Sequence, residues 1–260
     1  MIKISNLWKR FGNLQVLAGL DLNVQAGETL VVLGPSGIGK SVLLKHIIGI
    51  LKPDEGAIDI DQVKISDLKG AELYQSVNNM GMLFQGGALF DSMNVEENTA
   101  FHLKQHGDLK TDKKFTKKEI ANRVEHALEL VGLEGTQKKM PSELSGGMRK
   151  RAALARVIVY RPQIVLYDEP TTGLDPIIAM QINELIVKTQ KELKSTSIVV
   201  THDMFSALYV GDRLALMKDG KIAHIAKADD FLKIDDPMIH SLYYTISEDP
   251  RKIKEKNHHE

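Results

Sequence analysis

The chain has 260 residues with 34 basic and 34 acidic side chains, a balance that excludes bulk nucleic-acid binding through a basic surface. It contains no cysteine, which excludes disulfides, thiolate metal sites and cysteine nucleophiles and suits a reducing compartment. The richest apolar stretch, VLLKHIIGIL, is shorter than the roughly 20 residues of a spanning helix. The N-terminal residues lack the apolar core of a signal peptide. We therefore expect a chain that is soluble by itself and large enough for one or two domains.

The first third of the chain predicts strands, a loop and a helix. The strand-like runs are IKISNLW, LDLNV, TLVVL and AIDIDQVKI, separated by Gly, Asp and Pro. A glycine-rich loop follows TLVVL and leads into a helical run, SVLLKHIIGIL. Residues 84–98, FQGGALFDSMNVEEN, are half apolar although their Gly and Asn residues mark a loop. This stretch is either core with a turn in it or a surface for a partner.

The second half predicts helices, a parallel strand pair and a hairpin. Residues 116–131 carry apolar side chains at helical spacing, and a further helix is predicted from Ser145 to about Val159. IVLYD and SIVVT are strand-like and flank the helical run PIIAMQINELIVKTQKEL, which predicts a parallel pair with a crossover helix. LALMKDGKIAHIA predicts a hairpin with Asp219 and Gly220 as its turn.

The segment GPSGIGKS fits the phosphate-binding pattern G-x-x-x-x-G-K-[ST] and lies between a predicted strand and a predicted helix. Its glycines let backbone N–H groups approach phosphate oxygens, and the helix N-terminus adds a positive dipole. Lys40 is expected to reach the β- and γ-phosphates, and the Ser41 hydroxyl to bind Mg²⁺. A turn that only reverses the chain is the alternative, and the flanking elements argue against it. The expected ATP contacts here are Gly34, Pro35, Ser36, Gly37, Ile38, Gly39, Lys40, Ser41 and Val42.

Two carboxylates end the strand-like run IVLYDE. Asp168 is expected beside the phosphate loop, where it holds Mg²⁺ through water. Glu169 is expected to orient and deprotonate the attacking water. A buried strand with a solvated acidic end is the alternative, and the presence of the phosphate loop favours the catalytic interpretation.

The LSGGM segment, residues 144–148, opens the second predicted helix. Ser145 resembles an N-cap and the two glycines allow close backbone approach, so this helix start can also bind an anion. Helix capping alone is the alternative. One nucleotide does not need two helix N-termini from one chain around its γ-phosphate. Two chains arranged head to tail supply one each.

The ordered set GPSGIGKS, Gln85, LSGGM, IVLYDEP, GLD and His202 resembles the ATPase subunits of ABC transporters over residues 1 to about 230. The resemblance implies a head-to-tail dimer with two ATP molecules between the chains. It also implies an α/β P-loop fold with a mixed central sheet, an antiparallel β subdomain and an inserted helical subdomain. The implied domains are a nucleotide-binding core lobe of residues 1–85 and 161–240, a helical subdomain of 86–160 and a C-terminal extension of 241–260.

The resemblance also implies roles for single residues. Phe11, where the family more often has Tyr, is expected to stack on adenine. Met148 replaces the usual Gln and lacks its amide hydrogen bonds, so contact there is expected to rest on Ser145 and the glycine backbone. The implied catalytic residues are Glu169, His202, Gln85 and Lys40; the metal ligands are Ser41, Gln85 and, through water, Asp168; and the partner-chain ATP contacts are Ser145, Gly146, Gly147, Met148 and Asp175.

In the resembled family the segment after the glutamine supports a coupling helix of the permease. We therefore expect residues of about 85–98 to contact a transmembrane permease, with the apolar side chains divided between that contact and internal packing. FQGGALFDSMNVEEN resembles the Mla-type branch, with small departures at Gly86 and Lys150. That resemblance implies phospholipid cargo, an MCE-domain lipid-binding partner and a location on the cytoplasmic face of the inner membrane.

Two other functions stay open on sequence grounds. One is the ATPase of a different ABC importer, for a polar solute. The other is a non-transport ABC protein, either a translation factor, which usually carries two such domains, or a regulator acting through a membrane partner. The Lys-rich stretch of residues 110–118 is expected to be a solvated face, with contact to anionic lipid headgroups as the alternative. Residues 242–260 are expected to be a frayed end or an arm that reaches the second ATPase.

Overall fold

The computed structural model describes residues 2–108, 111 and 113–247, and side chains as far as residue 243. Residues 248–260, which hold most of the predicted C-terminal extension, lie outside the described residues. None of the described helices is long and apolar enough to cross a membrane. The strands are β1 (Ile2–Phe11), β2 (Leu14–Val24), β3 (Thr29–Leu33), β4 (Glu55–Ile60), β5 (Val63–Lys64), β6 (Met80–Leu83), β7 (Ile164–Asp168), β8 (Thr196–Thr201), β9 (Arg213–Lys218) and β10 (Lys221–Lys227).

Helices alternate with these strands along most of the chain. They are α1 (Lys40–Ile47), α2 (Gly70–Val77), α3 (Val95–His106), α4 (Lys117–Leu130), α5 (Gly146–Ile158), α6 (Pro176–Leu193), α7 (Met204–Val210), α8 (Ala228–Phe231) and α9 (Pro237–Ser247). Short 3-10 turns span Ile65–Asp67 and Pro141–Glu143. The last α-helix continues through residue 240, where the sequence analysis placed the start of the C-terminal extension.

The central sheet has six strands in the order β10-β9-β3-β8-β7-β6. Strands β9, β3, β8, β7 and β6 are parallel, and β10 pairs antiparallel with β9. The carboxyl ends of β3, β7 and β8 meet because Leu33 pairs with Thr201 and Asp168 with Val200. The loops after these three strands therefore emerge at one edge, where α/β proteins bind ligands.

The two faces of this sheet belong to two hydrophobic cores. Along β3, Val31 and Leu33 face one core, and Leu30 and Val32 face the other, as the period of two in a strand requires. The first core includes the buried faces of α3, α4 and α5. The second is covered by α1 and by the antiparallel sheet β2-β1-β4-β5. This mixed α/β architecture with a separate antiparallel sheet and a group of inserted helices is the fold class expected from the sequence.

Several local predictions are confirmed. The predicted helices at 116–131 and from Ser145 agree with α4 and α5 to within two residues. Strands β7 and β8 are parallel with α6 as their crossover. The β9–β10 hairpin turns at Asp219 and Gly220, whose φ values of 50° and 72° suit a two-residue hairpin turn.

Three local predictions are wrong. The run AIDIDQVKI is two strands, because Asp61 and Gln62 take φ values of 46° and 70° and turn the chain. The first helix ends at Ile47, before Gly49 at φ 76°, so the predicted continuation to residue 51 does not form. Residues 84–98 are not all loop, because Asn94 caps α3 in a reciprocal capping box with Glu97.

Candidate active site

A cleft of about 290 Å³ opens at the carboxyl edge of the central sheet. It brings together predicted residues from five separate segments, and it adds Val16 and Thr172, which the sequence analysis missed. Gly34, Pro35 and Ile38 belong to the same loop but do not line the cleft. The lining residues are Phe11, Val16, Ser36, Gly37, Gly39, Lys40, Ser41, Val42, Gln85, Glu169, Thr172 and His202.

The loop between β3 and α1 wraps around the amine of Lys40. Lys40 is only 4% exposed, and its Nζ donates to the carbonyl oxygens of Gly34 at 2.7 Å and Pro35 at 2.9 Å. Gly39 takes φ 112°, a conformation open to glycine but not to other residues without strain. This loop precedes the first turn of α1, so unpaired backbone N–H groups and a positive helix end face the cleft.

Ser41 lines the cleft and is paired with Asp168, which is buried behind the lining and does not itself line the cleft. The Ser41 hydroxyl donates to Asp168 Oδ1 at 2.7 Å, although the two residues are 127 positions apart. A hydroxyl beside a carboxylate suits Mg²⁺, a hard cation that binds oxygen and keeps several of its waters. No group of three or more His, Cys, Asp or Glu side chains suited to a metal occurs in the described part of the chain. A cation at this pair would therefore take further ligands from water and from a nucleotide.

The Glu169 carboxylate contacts three other side chains of the cleft lining. One carboxylate oxygen lies 3.2 Å from Lys40 Nζ, and the other lies 2.9 Å from His202 Nδ1. Thr172 Oγ1 donates to that second oxygen at 3.0 Å. The backbone N–H of Glu169 donates to Val200 O at 3.0 Å, which ties the residue to β8. These contacts fix a carboxylate beside the loop that carries Lys40 and Ser41.

Phe11 supplies an aromatic wall at the mouth of the cleft. It ends β1, and 44% of the residue is exposed although it lines the cleft. Lys9 Nζ lies 5.6 Å from the centre of the ring. An exposed ring in this position can stack on a planar base.

The LSGGM segment starts α5 but does not line the cleft. Ser145 caps the helix by accepting a 3.3 Å hydrogen bond from Met148 N, and Met148 is packed partly into the core. Gly147 is required by packing, because a Cβ there would lie 2.6 Å from Ile178 Cγ2. Asp175 caps α6 and also lies outside the cleft lining. The structure thus places these predicted contacts apart from the other site residues of the same chain.

The 84–94 loop, the segment between β6 and α3, presents some of its apolar side chains and buries others. Leu89 packs against the core, whereas Ala88 is exposed and Phe90 is 40% exposed. The buried Asn98 holds the loop by bonding Phe90 N at 2.8 Å and Met93 O at 2.8 Å. No sequence motif indicates this role of Asn98, because the role depends on a side chain of α3 that reaches the preceding loop.

Lys150 is a second buried amine that the sequence analysis gave no role. It is 7% exposed and donates to the carbonyl oxygens of Gln85 and, at 3.4 Å, Glu169. Burial lowers the pKa of Lys150, and the nearby carboxylates of Asp168 and Glu169 oppose that effect. The sequence shows a lysine at position 150, but only the fold shows which carbonyl oxygens this lysine contacts.

Comparison with known proteins adds three findings. Residues 17–172 match the protein family described as "ABC transporter". The chain is 42% identical over 92% of its length to the "Probable ribonucleotide transport ATP-binding protein mkl" of Mycobacterium leprae. It spans about two thirds of the length of this and related mycobacterial proteins. It is 39% identical to the "Intermembrane phospholipid transport system ATP-binding protein MlaF" of Haemophilus influenzae, over 98% of this chain and 94% of that protein.

The fold also matches solved structures. An ATP-binding cassette, solved as a dimer in a post-hydrolysis state with ADP and Pi, superposes with a TM-score of 0.79. It shares 33% sequence identity over 88% of this chain and 99% of that chain. The similarity therefore extends over both sheets and the inserted helices.

Proposed function

The chain belongs to the ABC transporter family and hydrolyses ATP, and we propose that it does so in a head-to-tail dimer that drives phospholipid transport through a membrane permease. The observation that carries the catalytic part is the position of the Glu169 carboxylate beside the phosphate loop, where Lys40, His202 and Thr172 contact it. The observation that supports the lipid part is similarity to MlaF over nearly the whole of both chains.

ATP binding follows from the shape and charge of the cleft. Phe11 stacks on the adenine ring, and the backbone N–H groups from Ser36 to Ser41 face the phosphate oxygens. Lys40 exchanges its bonds to the Gly34 and Pro35 carbonyls for bonds to the β- and γ-phosphates. Ser41, Gln85 and, through water, Asp168 would hold Mg²⁺, which would supply positive charge to the phosphate oxygens.

Hydrolysis then depends on Glu169. The carboxylate accepts a proton from water as the water oxygen bonds to the γ-phosphorus, and the bond from phosphorus to the β,γ-bridging oxygen breaks. ADP leaves with the electron pair of that bond. His202, now 2.9 Å from Glu169, orients the carboxylate and contacts the γ-phosphate. Gln85, which also lines the cleft, positions the attacking water.

The second chain supplies a second helix N-terminus, which the cleft of one chain lacks. Ser145 and Gly146 are exposed at the positive end of α5, yet they do not line the cleft of their own chain. A head-to-tail dimer brings this helix end onto the γ-phosphate held by the partner's phosphate loop. Asp175 communicates between the two sites across the dimer. The relative solved as a dimer with ADP and Pi supports this arrangement.

The permease contact is assigned to residues 85–98. Ala88 and Phe90 are exposed there, next to Gln85, so a coupling helix on this surface senses the nucleotide through that glutamine. In the proposed complex the subunit lies on the cytoplasmic face of the inner membrane. An MCE-domain lipid-binding protein completes the complex on the other side.

Substitution of Glu169 by Gln tests the catalytic assignment. The amide cannot accept the proton, so kcat should fall about 100-fold or more, and ATP should hold the chain as a dimer. Phosphate release gives the rate, and size-exclusion chromatography with ATP gives the oligomeric state. Wild-type hydrolysis in Glu169→Gln would contradict the role of this residue.

Purification of the complex tests the cargo. The tagged chain is extracted from native membranes in detergent, its partners are identified by mass spectrometry, and bound lipid is extracted and analysed. A permease, an MCE-domain protein and bound phospholipid support the proposal. A soluble periplasmic binding protein in place of the MCE protein would show a polar-solute importer, in line with the similarity to a ribonucleotide transport protein.

A further inference from the structure

Lys150 lies where three functional elements of the chain meet. It is in the second turn of α5, the helix that the LSGGM segment opens. Its Nζ donates to the main-chain oxygen of Gln85 and, at 3.4 Å, to that of Glu169. The side chains of both partners line the cleft, whereas Lys150 itself does not. One amine therefore joins α5 to the backbone of two residues that face the nucleotide.

Burial makes this amine unusual. Lysine is rarely buried to this extent without a carboxylate partner, because removing its charge from water is costly. Within the described residues Lys150 is in no ion pair, and its two hydrogen bonds go to carbonyl oxygens. The nearby charges of Asp168 and Glu169 help it to remain an ammonium group. Because burial of this charge is costly, we explain Lys150 by the two carbonyl oxygens that it contacts and not by packing alone.

The Glu169 backbone needs such support. Its φ is 47°, in the left-handed region that is strained for a non-glycine residue. Val200 O accepts the hydrogen bond of its N–H, and Lys150 donates to its carbonyl oxygen. Both polar groups of this strained residue are thus held, one by β8 and the other by α5.

The same helix holds the 84–94 loop at a second point. Arg156 donates to Gly87 O at 3.1 Å and to Ala88 O at 2.6 Å. A Cβ on Gly87 would lie 3.3 Å from Ala153 Cβ, so the loop backbone packs directly on α5. The loop is therefore fixed to α5 at two points, and Lys150 is the contact that extends this connection to Glu169.

We propose that Lys150 is a positioning residue for ATP hydrolysis. Through hydrogen bonds to their main-chain oxygens, it holds Gln85 and Glu169 in the positions that the reaction requires. It does so only when α5 is packed as in this structure. The proposal rests on the roles proposed above for those two side chains. It links the placement of the LSGGM helix, which faces the partner's nucleotide, to the geometry of the chain's own catalytic carboxylate. ATP binding itself does not require Lys150, because the phosphate loop and Phe11 are held independently.

The test compares Lys150→Met with wild type and with Lys188→Met. Methionine keeps most of the volume and removes the donors. Lys188 is the matched control, since its amine also donates to a carbonyl oxygen, that of Leu130 at 3.4 Å, away from the cleft. For Lys150→Met we expect kcat to fall about 10- to 100-fold, because small displacements of reacting groups have effects of this size, while KM for ATP changes less than about threefold. Lys188→Met should retain wild-type kcat and KM.

Rescue separates positioning from packing. Lys150→Arg retains a cation with several donors and should recover kcat to within about fivefold of wild type, whereas Lys150→Gln should be intermediate. The melting temperature of Lys150→Met should stay close to that of wild type, because relief of a buried charge offsets the loss of two hydrogen bonds to carbonyl oxygens. Wild-type kcat in Lys150→Met, or a joint fall in ATP affinity and melting temperature, would overturn the inference. Glu169→Gln is assayed in parallel; if it too hydrolyses ATP normally, the proposed function fails instead.

Discussion

The phosphate-loop side of the cleft and the side formed by α5 and the 84–94 loop are held together by different bonds. On the first side, most of the contacts join two side chains, Ser41 to Asp168 and Glu169 to Lys40 and His202, and Lys40 also bonds carbonyl oxygens of its own loop. On the second side, side chains such as Lys150 bond main-chain carbonyls and leave the neighbouring groups exposed. Under the proposed function, the first side is completed by one chain, whereas the second side meets the partner chain and the permease.

This comparison predicts its largest effect for Lys40→Ala. The substitution removes a charged donor from the phosphates and leaves Glu169 without its cation, so ATP affinity should fall about 100-fold. Isothermal titration calorimetry with ATP measures the loss, whether or not a permease is present. Lys45→Ala, on the same helix and outside the cleft, is the control and should bind ATP normally.

His202→Ala should have a large effect on turnover and a small one on ATP binding. Glu169 would lose one of three partners, and we expect kcat to fall about 10- to 100-fold with KM little changed. His224→Ala is a matched control, because His224 pairs with Asp236 at 3.1 Å on β10. Equal activity of the two variants would show that the contact with Glu169 has no catalytic role.

On the other side of the cleft, Phe90→Ser should act only in the complex. The centre of the exposed Phe90 ring lies 4.7 Å from the centre of the Phe101 ring. The substitution therefore removes a surface contact at little cost to stability. We expect basal ATP hydrolysis to remain within about twofold of wild type, and permease binding to weaken about tenfold or more. Bio-layer interferometry with the purified permease measures the affinity. Val63→Ser, an exposed apolar residue on the distant β5, serves as control.

The smallest predicted effect concerns stability and pH within the inserted helices. Burial and the neighbouring His106 lower the pKa of His102 to about 4. Because the unfolded state binds a proton below its pKa of about 6.5 and the folded state does not, stability should fall as pH drops from about 6.5 to about 4. The loss from this side chain is about 2 kcal/mol after allowing for partial exposure. His102→Phe, which keeps a ring against Tyr160, should flatten the dependence of melting temperature on pH. His126→Phe, at an exposed position, should not.

The two sides also differ in how far sequence alone predicts them. The phosphate-loop side depends on short contiguous motifs, and most of its expected residues line one cleft. Thr172 was missed although it lies within the same stretch as Asp168, and Val16 was missed because a strand valine gives no signal of its own. The hydroxyl and carboxylate that pair with each other, Ser41 and Asp168, were both identified before their contact was known.

The second side depends on contacts between distant segments. Asn98 and Lys150 hold the 84–94 loop through bonds to residues that are distant from them in the sequence. Asn94 looked like a loop residue, whereas its side chain caps a helix. Short polar residues favour both turns and helix starts, so local pattern does not separate the two. The predicted domain limits and the roles of the LSGGM segment remain predictions.

A cross-linking measurement tests the central claim that the active site is shared between two chains. The natural sequence has no cysteine, so single cysteines can be introduced without background. Chains carrying Ser36→Cys are mixed with chains carrying Ser145→Cys, both exposed positions in a Glu169→Gln background, and treated with a short bifunctional thiol reagent. We predict a covalent dimer that forms only in the mixture and only with ATP. Equal cross-linking within either variant alone, or none in the mixture with ATP, would contradict a head-to-tail shared site.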